Sequence, residues 1–145
     1  MLKHSFLFLS SALVAASAFA ADAPEFAREK APAGAKVFIV SPTNGATVGG
    51  DVEVVFGVEG IALAPAADAR AGAGHHHLLI DAASLPPLGA PIPNDANHKH
   101  YGAAQTSDTI HLDPGTHTLQ LDLGDARHVQ FDPPIVSPKI TIHVK

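Results

Sequence analysis

Nine histidines fall between residues 21 and 145: His75, His76, His77, His98, His100, His111, His117, His128 and His143. Imidazole is the commonest neutral metal ligand and the side chain that titrates nearest physiological pH, so this excess calls for a metal-linked or a proton-linked explanation. Three of the nine are consecutive, and His98-Lys99-His100 forms a further His-x-His. In a strand, alternate side chains face opposite sides, so His75 and His77 share one face with Leu79, and His76 shares the other with Leu78 and Ile80. The chemistry of that spacing is a tetrahedral or square-planar site of three or four ring nitrogens, suited to Zn²⁺ or Cu²⁺. The alternative is a hydrogen-bonded polar strand end.

The other donor types narrow the choice. The chain has no cysteine, and its one methionine is Met1, so beyond residue 20 any metal is held by imidazole, carboxylate or backbone. The candidate ligands are His75, His76, His77, His100, His117 and His128, with Asp81, Gln105 and Asp125 placed to orient them. His117 has a second reading as a corner residue bonded to backbone. His98 and His100 are equally readable as a solvated loop, and His111 and His143 as surface residues at polar strand edges. No His-Glu-x-x-His helix, Gly-x-Ser-x-Gly elbow or phosphate-binding glycine loop is present.

Strands must position these residues. Val52, Val54, Phe56 and Val58 alternate with Glu53, Val55, Gly57 and Glu59, which predicts a half-buried strand. Residues 36–40, 75–81, 109–112, 116–123 and 137–145 read as further strands, with Leu119, Leu121 and Leu123 inward. The segments 62–74 and 84–105 read as loops. Residues 36–145 are thus expected to form an all-β domain, an immunoglobulin-like Greek-key β-sandwich of about seven strands. Asp113-Pro114-Gly115-Thr116-His117-Thr118-Leu119 resembles the corner of such sandwiches, with His117 at the tyrosine place. In a Greek key the strand of His117 commonly neighbours the triple-histidine strand. That would gather His75 or His77, His100 and His117 at one rim, with His128 and Asp125 beyond the strand's other end.

Residues 1–20 carry Lys3, an apolar run from Phe6 to Ala16 and Ala18-Phe19-Ala20, the three regions of a cleaved secretory signal. The run is shorter than the roughly 20 residues a membrane span needs, and no later segment reaches that length. A periplasmic or secreted location follows as the expectation, with residues 21–35 a disordered leader. The formal charge of −5, one unit more negative without Lys3, argues against nucleic acid and anionic lipid as partners.

Gly74-His75-His76-His77-Leu78-Leu79-Ile80-Asp81, His100-Tyr101-Gly102 through Gln105-Thr106, and Pro114-Gly115-Thr116-His117 with Gly124-Asp125 and His128 together resemble an exported bacterial domain family of unknown function marked by a Gly-His-His-His signature. The resemblance spans about residues 60–145. It implies that His75, His76, His77, His100, Gln105, His117, Asp125 and His128 belong to the family's motif set, and it implies no activity. Three functions fit the residues: a copper- or zinc-binding buffer or delivery module, a copper- or zinc-dependent enzyme on a sandwich scaffold, and a non-metal module of the cell envelope contacting a protein or glycan partner.

Overall fold

The computed structural model describes residues 25–145; the expected signal peptide, residues 1–20, lies outside them. Nine strands and no helix are found among the described residues. They are β1 (Lys36–Ser41), β2 (Thr47–Val48), β3 (Asp51–Glu59), β4 (Ala62–Leu63), β5 (Ala73–Ile80), β6 (His98–His100), β7 (Ser107–His111), β8 (Gly115–Gly124) and β9 (Ile140–Val144).

Two sheets face each other as a β-sandwich. One has the order β1-β3-β7 and the other β2-β9-β8-β5-β4, with β6 also paired to β5. The first follows the A-B-E order of an immunoglobulin sandwich, and β9-β8-β5 follows G-F-C. The alternation read from the sequence sets the facing: Val52, Val54 and Phe56 of β3 are buried, as are Leu119, Leu121 and Leu123 of β8. These side chains meet Val37, Leu78, Ile110 and Ile142 in one core between the sheets.

β5 is buried on both faces from its first residue through residue 79. Its inner side chains, His76 and Leu78, sit opposite Leu123 and Leu121 of β8 and face the core. Its outer side chains, His75, His77 and Leu79, sit opposite Gly124, Asp122 and Gln120. The outer face is closed by chain with little secondary structure. The Ile92 N–H donates to the His128 carbonyl at 2.7 Å, and Pro91 bridges to Val129. Leu79, Ile92 and Val129 are all buried yet stand outside the core cluster between the sheets.

Besides the two-residue strands β2 and β4, the second of which lies in the expected loop 62–74, two segments differ from the sequence reading. The expected loop over 84–105 ends in a strand, β6, which pairs His77 with His100 and Leu79 with His98. Three residues are too few for a periodic signal, and the pairing strand lies about twenty positions upstream, outside any local window. Residues 25–35, expected to be disordered, are laid against the 130–132 segment. Ala31 N–H donates to the Asp132 carbonyl and Asp132 N–H to the Glu29 carbonyl, each at 2.8 Å, and the Arg28 guanidinium donates to the Phe131 carbonyl. Backbone pairing and the Arg28 side chain hold this stretch, and backbone pairing leaves no mark on side-chain composition.

Candidate metal centre

Three pieces of chain bring four imidazoles together on the outer face of β5. His75 and His77 come from alternate positions of the strand itself. His100 comes from β6, directly across from His77, and opposite residues of an antiparallel pair share a face. His128 comes from the turn after β8. One nitrogen of each of the four lies within 4.8 Å of those of the others. The His100 and His128 Nε2 atoms are 3.1 Å apart, and the ring centroids of His75 lie 4.8–4.9 Å from those of His77, His100 and His128.

The turn that delivers His128 is built by Asp125. Its carboxylate accepts the backbone N–H groups of Arg127 at 2.8 Å and Val129 at 3.0 Å, and it takes the Arg127 guanidinium at 2.7 Å. Its carbonyl accepts the His128 N–H at 2.8 Å. His128 itself sits at φ 65°, in the left-handed region where a side chain is accepted only if its surroundings hold it there. Two glycines make room for the rings. A Cβ on Gly102 would lie 2.4 Å from Cε1 of His100, and one on Gly124 would lie 2.9 Å from Cε1 of His77.

His75 and His77 are buried, whereas His100 and His128 are half-exposed. Nε2 of His75 and both ring nitrogens of His77 have no hydrogen-bond partner. Burial, reinforced by the neighbouring imidazoles, lowers the pKa of His75 to about 4 and of His77 to about 2. His100 is also lowered, first by burial and then by His128. His75 and His77 are therefore neutral at physiological pH, and His100 is pushed the same way, toward the state in which a ring nitrogen can ligate. Four nitrogens at the usual 2.0–2.1 Å from Zn²⁺ stand about 3.3 Å apart, against separations of up to 4.8 Å in this group, so the four could hold an ion once drawn together.

The other expected site residues lie elsewhere. His76 faces the core, 5.2 Å from the Phe56 ring, with neither nitrogen partnered and its pKa lowered by burial to about 4. His117 does not reach the cluster. β8 runs antiparallel to β5, with Gly124 opposite His75 and Leu119 opposite Ile80, so the start of β8 lies at the far end of β5. Seven residues of strand separate His117 from Gly124, about 23 Å. It also projects on the core side with Leu119. There it acts as the corner: Nε2 donates to the Asp113 carbonyl at 2.8 Å and Nδ1 meets the Asp81 carboxylate at 2.7 Å. Asp81 thus orients His117, Asp125 shapes the His128 turn, and Gln105 accepts the Ala103 N–H at 2.8 Å just beyond His100. None of these three makes a side-chain hydrogen bond to a ring of the cluster.

Asp122 and Gln130 escaped the sequence reading. Both are fully buried and joined by a 2.5 Å bond from the Gln130 amide to Asp122 Oδ2. Burial raises the Asp122 pKa to about 7. The available signal was an acidic residue at an alternate position of a strong strand, directly between Leu121 and Leu123.

The fold and site together define an all-β sandwich that carries a four-histidine cluster on the outer face of its central strand. The family profile for the domain of unknown function DUF4399 matches residues 54–145, and the chain belongs to that family. The match includes all four histidines. No curated protein and no solved structure matches the chain.

Proposed function

We propose that this protein binds one divalent copper or zinc ion through His75, His77, His100 and His128, and serves outside the cytoplasm as a metal buffer or delivery module. The observation that carries the reading is the convergence of four imidazoles, of which the buried pair, His75 and His77, present nitrogens without hydrogen-bond partners. A buried polar atom left unpaired costs about 1–3 kcal/mol, and a metal ion removes that cost for ligands pointing at a common centre. Four protein donors fill a tetrahedral sphere, whereas catalytic zinc keeps one position open, which favours binding and release over catalysis. Entry and exit run past His100 and His128, the two half-exposed ligands. The extracytoplasmic placement rests on the signal-like residues 1–20.

The test is a titration of untagged residues 21–145 with Zn²⁺ and Cu²⁺ against a competing chelator. One ion per chain, bound tighter than about micromolar, is expected. Replacement of His75 and His77 together by alanine is expected to abolish it. Binding no tighter than that of free imidazole, or unchanged stoichiometry in the double variant, overturns the reading.

A further inference from the structure

Four imidazoles contribute no negative charge, so a divalent ion among them brings two unbalanced positive charges into a largely buried place, and burying uncompensated charge is costly. Asp125 is the acidic group of the nearby turn, and its charge is already met by Arg127 at 2.7 Å. Asp122 is different. It sits directly across from His77 in the β5–β8 register, on the same face, where Cβ atoms of opposite residues are about 4.5–5.5 Å apart. No cation is paired with it among the described residues. Its Oδ2 takes the Gln130 amide, while its Oδ1 is buried without any partner. Neither nitrogen of His77 makes a hydrogen bond of normal geometry, and the Asp122 backbone carbonyl lies beside the ring. An imidazole that gives one nitrogen to a metal leaves the other as an N–H donor, and such donors characteristically find a carboxylate.

We propose that Asp122 is the outer carboxylate of this centre: it accepts the non-ligating N–H of His77 through Oδ1 and makes the site selective for a divalent over a monovalent ion. The inference rests on the metal-binding reading above. Asp122 is a positioning residue here. Gln130 holds its other oxygen, which leaves Oδ1 available to the ring across the strand pair. A carboxylate one imidazole away from the ion stabilises two positive charges more than one, which separates its effect from simple packing.

The experiment is Asp122→Asn, which keeps the shape and removes the charge: the Gln130 amide turns over so that its Oε1, without a partner in the wild type, accepts the new Nδ2–H, and the Asn oxygen still faces His77. Zn²⁺ and Cu²⁺ affinities are expected to fall about 10–100-fold, with Cu⁺ affinity within about threefold of wild type. For copper, each tenfold difference between the two oxidation states corresponds to a rise of about 59 mV in the reduction potential of the bound ion. Equal losses for Cu²⁺ and Cu⁺, or no loss at all, overturn the proposal while leaving the metal site intact. Wild-type protein that binds no metal overturns both. Should Asp122→Asn fail to fold, nitrogen-15 spectra of Zn²⁺-loaded wild type decide instead: a His77 N–H protected from exchange and coupled to a carboxylate supports the proposal, and a freely exchanging N–H overturns it.

Discussion

Two histidine regions stand at opposite ends of the β5–β8 pair, and the same side chain does opposite things in them. At the cluster, burial and mutual repulsion lower His75 and His77, leaving nitrogens that are neutral and unpartnered. At the corner, both nitrogens of His117 face acceptors, the Asp81 carboxylate and the Asp113 carbonyl. Both must then donate, and its pKa is raised, first by the bond to Asp81. One region stores coordination capacity at a cost to stability. The other spends an imidazole as a structural clamp. The count of histidines says nothing of this difference; their partners decide it.

The sharpest way to break the comparison is to delete one ring from each region. His77→Ala is expected to weaken metal binding about 100-fold or more, and His117→Ala to leave it within about twofold. Competition titration reads both, and a comparable loss from His117→Ala would dissolve the distinction. The glycine cradle should give the next largest effect. Gly102→Ala places a Cβ against the His100 ring at 2.4 Å, and that half-exposed ring can swing outward. Metal affinity is therefore expected to fall about tenfold with little change in the melting temperature of the metal-free protein.

Acidity should separate the regions by sign. The unfolded chain takes up protons near the ordinary histidine pKa of 6.5, whereas folded His75 resists until about 4. Metal-free protein therefore loses stability as pH falls from 6.5 toward about 4. His117, being raised, contributes stability that is fully present below 6.5 and is lost as pH rises through its folded value. A melting series on wild type and His117→Ala should show the variant destabilised by about 1 kcal/mol at acid pH, with the gap closing as pH rises. A gap that widened with pH would contradict the clamp.

The smallest effect is expected within one strand. His76 stands between two cluster histidines in sequence but faces the core beside Phe56. His76→Leu removes two unpartnered buried nitrogens, so it should leave metal affinity within about threefold and raise stability by about 1 kcal/mol. Strong metal loss in this variant would place His76 in the site.

Much of the strand framework was legible in advance. The alternation of Val52, Val54 and Phe56, and of Leu119, Leu121 and Leu123, marks two core-facing strands, and the corner motif marks where β8 begins. The same alternation separates His75 and His77 from His76. The absence of sulfur donors restricts any metal to nitrogen and oxygen ligands. Those properties are local: they depend on residue type and on the two-residue period of an extended chain, which sequence displays directly.

Tertiary structure alone decided which histidines meet. Antiparallel pairing sends the start of β8 to the far end of β5, so His117 leaves the cluster while His128, at the other end of the same strand, enters it. A three-residue strand carries His100 across from His77, and the Asp125 turn holds His128 at a left-handed φ that histidine rarely adopts. The burial of Asp122 beside His77 follows from that same register. Pairing direction, register and turn geometry are set by contacts between residues far apart in the chain, and a site assembled from three separate segments exists only once those contacts have formed.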